Sequence, residues 1–194
     1  MEQPAGAPSP EAIPNSASRK QQLRSALRTA RARRPAAERR AFAERLATWT
    51  PPASVRRVSC FIGVGDEPDT GHLIAALHAR GIEIVLPITL ADFSLDWARF
   101  TGNTNLADAR YGLREPTAAR LGPAALAEVD IVIVPALAID ASGRRLGQGA
   151  GCYDRALRHV RAVTPMLAVV FDDERLSETL PEEPHDLRVD GSLL

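Results

Sequence analysis

Short β-branched segments alternate with segments of helical periodicity along most of this chain. That alternation constrains the fold more than any other feature. Val55 to Val64 reads as a buried strand, Ile82 to Ile88 as the next, and Phe93 to Phe100 alternates well enough to be a third. Val129 to Val134 is a short β-branched strand that Ala136 to Asp140 continues or neighbours, and Met166 to Phe171 is a late one. Helices fall around and between them. One begins near Ser18, with Leu23, Leu27 and Ala30 as a narrow apolar face and Lys20, Arg24, Arg28 and Arg31 as a basic stripe beside it. Pro35 starts a second, whose buried face is Phe42, Leu46 and Trp49 and which Pro51-Pro52 stops. Thr70 caps a third that runs through Ala79 and closes at Gly81. Residues 101–123 are mostly irregular. The pattern is that of an α/β sandwich with a largely parallel sheet.

A chain of 194 residues, 45% hydrophobic and 25% charged, is expected to form one domain with a sizeable core. Residues 1–17 carry four prolines and no periodicity, and are expected to be a disordered tail before a single domain over residues 18–194. The tail has neither the basic start nor the apolar segment of a signal peptide. No apolar run is long enough to span a membrane. Two cysteines far apart, Cys60 and Cys152, exclude a disulfide scaffold and suit a reducing cytoplasm. The net charge of zero hides an asymmetry: residues 19–45 hold ten basic side chains against two acids, and residues 172–190 hold eight acids against two arginines. A basic end and an acidic end suggest a site that handles phosphates on one side and a cation on the other, although solvated faces would look the same.

Chemistry concentrates in Asp140 to Arg155. Gly147, Gly149 and Gly151 alternate just after a strand and just before a helix, with Arg144 and Arg145 beside them. Glycines let main-chain N–H groups converge on a ligand, and a helix start favours an anion, so the segment has the parts of a phosphate cradle. It is neither a P-loop nor a dinucleotide fingerprint, because no G-K-[ST] follows and the spacing is G-x-G-x-G. Asp154, in the first helical turn, either holds Mg²⁺ beside bound phosphates or simply complements the helix start.

The R-L-G-Q-G-A-G-C-Y-D segment resembles the signature of the 5-formyltetrahydrofolate cyclo-ligase family, also called 5,10-methenyltetrahydrofolate synthetases. K-Q-Q-L-R at Lys20 to Arg24, D-E-P-D-T at Asp66 to Thr70, Y-G-L-R-E-P at Tyr111 to Pro116 and P-H-D-L-R-V-D at Pro184 to Asp190 match the family's other elements in kind and order. The resemblance implies a three-layer α/β/α sandwich and an ATP- and Mg²⁺-dependent cyclisation of a reduced folate. It implies ATP binding by Lys20, Gln21, Gln22, Leu23 and Arg24, and by Arg145, Leu146, Gly147, Gln148, Gly149, Ala150, Gly151, Cys152 and Tyr153. Folate would meet Arg24, Ile62, Glu67 and residues Gln148 to Cys152. Arg145 and Tyr153 would act in catalysis, and Asp154 and Asp186 would hold the metal. Reduced folate and ATP are the expected partners, with no nucleic acid and no membrane, for a cytoplasmic monomer.

Each residue also has a bland reading. Lys20 and Arg24 would face water on an ordinary basic helix, Glu67 would be a solvated loop acid, Thr70 a helix cap, and Tyr153 a core residue in register with Leu157. Cys152 stands where the family usually has tyrosine. Ala136 and Ala138 replace residues that are often glycine. The alternatives to the enzyme are a non-catalytic relative that binds nucleotide or folate, and a nucleic-acid-binding module using the basic helices. The lack of aromatics among the arginines speaks against the latter.

Overall fold

The computed structural model describes residues 16–194. Most of the expected tail therefore lies outside the described residues, and Ser16 and Ala17 already belong to the first helix. That helix, α1, spans Ser16–Arg33, and α2 spans Ala36–Ala47 with Pro35 at its cap. The chain continues through β1 (Arg57–Ser59), α3 (Gly71–Ala79), β2 (Glu83–Thr89) and β3 (Leu95–Arg99). A small hairpin follows, β4 (Leu106–Asp108) with β5 (Arg114–Pro116). Next come β6 (Ile131–Pro135), β7 (Ala138–Asp140), β8 (Arg145–Leu146) and the short α4 (Cys152–Ala156). β9 (Met166–Val169), β10 (Arg175–Leu176) and β11 (Gly191–Ser192) complete the chain.

Six strands form the central sheet in the order β11-β9-β6-β1-β2-β3. Every neighbouring pair is parallel except β2 with β3. Side chains alternate across it as period-two geometry demands. On β2 and β6, Ile84, Leu86, Ile131 and Ile133 pack on one face with Phe42 and Leu46 of α2 and Leu73, Ile74 and Leu77 of α3. Val85, Val132 and Val134 pack on the other face with Leu126, Ala156 and Leu157. The result is the expected α/β/α arrangement with a largely parallel sheet. A smaller sheet, β10-β7-β8, packs Leu137, Ala138, Leu146 and Leu180 against Leu23 and Leu27 of α1. No helix among the described residues is long and apolar enough to cross a membrane.

From β1 the chain builds outward to β2 and β3 in one direction, while β6, β9 and β11 build in the other. The strand order therefore reverses between β1 and β6. In open parallel sheets a crevice forms at the carboxyl ends of the strands at such a point.

Five local expectations change. The strand expected over 55–64 is paired only at Arg57–Ser59. Beyond it the chain leaves the sheet, and the Thr70 hydroxyl both donates to the Phe61 carbonyl and accepts from the Gly63 N–H at 3.2 Å. Thr70 thus stands at the N-cap position of α3 as expected, but its buried side chain makes no capping bond to the helix. Asp69 takes over the helix start, its carboxylate accepting from the Gly71 N–H at 2.8 Å. On α1, Ala30 is exposed whereas Lys20 and Arg31 of the basic stripe are buried, Arg31 at 2% exposure. The helix after the glycine loop has only five residues before it tightens into a 3₁₀ turn, which leaves little helix field for an anion. Finally, the acidic and basic ends pair with each other: Arg34 meets Asp173, Arg45 meets Asp172 and Arg31 meets Glu174.

Two contacts fix the turn that delivers the glycine loop. Burial pushes the Asp140 carboxyl up, but hydrogen bonds from Ser142, Leu180 and Arg144 outweigh it and hold the group at about 2. Gly143 has φ +80°, and a Cβ there would sit 2.1 Å from the Val189 carbonyl oxygen.

Candidate active site

A cavity of about 530 Å³ opens where the strand order reverses. Phe61 and Ile62, just past β1, and Pro135 and Ala136, at the end of β6, form its floor. The glycine loop forms one wall, α1 another, and Phe93, Tyr111 and Glu115 come from the β2–β3 turn and the small hairpin. Of the residues expected in the site, Lys20, Arg24, Ile62, Glu67, Arg145 to Asp154 and Asp186 all line this one space. Gln21 and Gln22 do not: they are exposed and outside the lining. Leu23 is a packing residue against the small sheet rather than part of the wall. Ala138 is likewise buried in that packing, whereas Ala136 does reach the cavity.

The basic stripe of α1 fastens the glycine loop. The Arg24 Nε donates to the Gly147 carbonyl at 2.9 Å. Arg28 donates twice to Gln148, from Nε to the side-chain oxygen at 2.9 Å and from its terminal nitrogen to the main-chain oxygen at 2.8 Å. At Gly149, φ is +107° and a Cβ would lie 3.4 Å from the Arg24 guanidinium carbon, so a side chain there would press on the arginine. The Gly147 and Gln148 carbonyls therefore face α1, and no main-chain N–H from Gly147 to Gly151 donates to another described residue. Gln148 also donates from Nε2 to a Glu67 oxygen at 3.3 Å, and the other Glu67 oxygen accepts from the Val64 N–H at 3.3 Å. Glycine loop, basic helix and Glu67 thus meet.

Two ion pairs set the charge of the cavity. Arg145 is 9% exposed and donates to Asp154 at 2.5 Å, while its Nε is buried with no partner among the described residues. Lys20, 3% exposed, binds both Glu183 at 3.1 Å and Asp186. Burial raises the Asp186 carboxyl, but Lys20 and the Glu183 N–H more than reverse this and hold it below the usual aspartate range. Ligand atoms of Glu183, His185 and Asp186 lie within 4.8 Å of one another; Asp154 stands apart from that cluster, against Arg145. Mg²⁺ favours oxygen donors, commonly one or two carboxylates with phosphate oxygens and waters. Carboxylates of Asp154 and Asp186 opening on one cavity fit that donor set.

Tyr153 packs against the core beside Leu157, as the bland reading requires, yet it also lines the cavity. Its hydroxyl is buried without a partner among the described residues, and burial raises its pKa well above the ordinary phenol value. It is therefore a protonated donor. Burial also raises the Cys152 thiol, with Arg155 opposing only in part, so the site offers no activated thiolate. Sequence reasoning missed Phe93, Tyr111 and Glu115 as wall residues. The Tyr111 and Glu115 positions lie within a recognised motif, but nothing in their spacing reports that a hairpin folds them over the sheet. Phe93 and Tyr111 stack at 5.8 Å between ring centroids, and both have φ of 62°.

Comparison with known proteins settles the family. The 5-formyltetrahydrofolate cyclo-ligase family model matches residues 14–193. This chain belongs to the 5-formyltetrahydrofolate cyclo-ligase family. It is 41% identical over 175 residues to the 5-formyltetrahydrofolate cyclo-ligase of Mycolicibacterium smegmatis, covering 87% of this chain and 89% of that protein. It is 31% identical over 148 residues to the Escherichia coli K12 cyclo-ligase, covering 75% and 81%. The solved 5,10-methenyltetrahydrofolate synthetase of Aquifex aeolicus superposes with a TM-score of 0.75 at 27% identity, covering 88% of this chain and 87% of that one. The Mycoplasma pneumoniae synthetase, at 16% identity and a TM-score of 0.70 over 90% and 97% of the two chains, shares the fold. For a cyclo-ligase fold, the reversal in strand order explains why motifs from five separate segments line a single cavity.

Proposed function

We propose that this chain converts 5-formyltetrahydrofolate to 5,10-methenyltetrahydrofolate at the expense of ATP, releasing ADP and phosphate. The observation that carries the reading is that one cavity contains the arginine-fastened glycine loop, the Lys20 cluster and Glu67. The N5-formyl group is an amide and a poor electrophile. Transfer of the γ-phosphoryl group from ATP to the formyl oxygen breaks the bond to ADP and makes that oxygen a leaving group. The N10 lone pair then attacks the formyl carbon and closes the ring, N10 loses its proton to solvent, and phosphate departs with the C–O bond to leave the methenyl product.

The protein contributes position and charge. Free N–H groups of residues 147–151 suit phosphate oxygens, and the Arg145 guanidinium, buried beside them, suits charge on the transferring group. Glu67 is an acceptor for pterin N–H donors, and the Tyr153 hydroxyl is a donor inside the cavity. Asp154 and Asp186 would hold Mg²⁺, which when bound shields the phosphate charge. Lys20 is paired with Asp186 and Glu183, and would turn to a phosphate when that cation shares the carboxylates.

Incubation with 5-formyltetrahydrofolate, ATP and Mg²⁺ is expected to give methenyl product and ADP in equal amounts, neither forming if any component is omitted. Tight binding of both ligands with no product would instead make the chain a non-catalytic relative.

A further inference from the structure

The Arg28–Gln148–Glu67 chain of hydrogen bonds is a strut between two hollows. On its far side from the main cavity lies a second space of about 380 Å³, and Gln148 and Glu67 line both. A side chain with space on either side is held by its hydrogen bonds rather than by packing. Here those bonds are directional. Arg28 grips Gln148 at both its main-chain and side-chain oxygens, which fixes the carboxamide so that its nitrogen points at Glu67. Gln148 belongs to the loop read as the nucleotide cradle, whereas Glu67 is the acid read as the folate anchor.

We propose that Arg28, acting through Gln148, is a positioning residue that couples nucleotide binding at the glycine loop to folate binding at Glu67. Nucleotide that shifts the loop backbone at Gln148 shifts the gripped carboxamide with it, and the carboxamide in turn sets the orientation in which Glu67 meets the folate. By linkage the coupling runs equally in both directions. Neither end touches the reacting atoms through Arg28, so this residue governs how the two sites communicate. The inference rests on the proposed pair of ligands.

Calorimetric titration of the full chain with 5-formyltetrahydrofolate, with and without a non-hydrolysable ATP analogue and Mg²⁺, tests it. In the wild type the analogue is expected to tighten folate binding by about tenfold, within the usual range of such couplings. In Arg28→Met this factor is expected to fall below about threefold, whatever the change in the affinity for each ligand alone. Arg28→Lys keeps the charge but cannot supply two donors in a fixed fork, so it too is expected to lose the coupling. Absence of coupling in the wild type, its survival in Arg28→Met, or its full retention in Arg28→Lys would each overturn the proposal, the last by reducing it to a charge effect. Arg28 is exposed on α1, and an unchanged thermal midpoint will confirm that the variants fold. Failure of either ligand to bind the wild type would count against the proposed function instead.

Discussion

Arg31→Met is expected to destabilise the protein by about 3–5 kcal/mol, the cost of leaving one partner of a buried ion pair behind. Arg31 and Glu174 have side chains only 2% and 3% exposed, joined by two hydrogen bonds of 2.7 Å. The same guanidinium donates to the Ala136 carbonyl at 2.6 Å. Removing it strands a buried carboxylate and a buried carbonyl together. It also frees α1 from the end of β6, where the cavity floor lies. The charge of Glu174 should account for most of the loss. Glu174→Gln keeps an acceptor for the Phe171 N–H, which the glutamate now receives at 2.9 Å. The double variant Arg31→Met/Glu174→Gln is therefore expected to recover more than half of the stability. Urea unfolding monitored by circular dichroism reads both. A single variant within about 1 kcal/mol of wild type would show that water reaches the pair and that α1 is held by other means.

Arg145→Met is expected to lower kcat by about 10²–10³, the usual consequence of removing a preorganised donor from a site of charge development. The guanidinium is buried, its Nε without a partner among the described residues, and is held between Asp154 and the Pro135 carbonyl, the latter at 3.4 Å. Its orientation is thus set before any ligand arrives. Arg145→Lys preserves the charge beside Asp154 but not the fork, and is expected to fall between the two in kcat. Steady-state kinetics together with a thermal melt separates the roles. Loss of turnover with the melting midpoint largely retained supports a transition-state role, whereas kcat within tenfold of wild type in Arg145→Met would assign Arg145 to structure alone.

The alternation of strands and helices was readable from the sequence because it depends on local periodicity, and so was the glycine loop, whose residues are contiguous. What remained hidden depends on distant partners. Arg31 meets Glu174 across 143 positions of sequence, and Lys20 meets Asp186 across 166. Without those partners the four basic residues of α1 look like a solvated stripe, whereas three of them bind the glycine loop or sit buried and the fourth, Lys20, holds the acidic cluster. Thr70 shows the converse error. Threonine before a helical run is a good cap by local rules, but Phe61 and Gly63 compete for its hydroxyl and win. The length of β1 was overread for the same reason: apolar residues beyond Ser59 are buried around a cavity rather than in a ladder. Among the motif residues of α1, Lys20 and Arg24 line the cavity, whereas Gln21, Gln22 and Leu23 share their helix but not their face.

The central claim is that phosphorylation of the formyl oxygen by ATP is what permits ring closure. Turnover of 5-formyltetrahydrofolate carrying ¹⁸O in the formyl group, followed by mass spectrometry of the inorganic phosphate, tests this most directly. The account predicts one labelled oxygen in each phosphate released. Unlabelled phosphate, with the isotope found in water or formate, would contradict it.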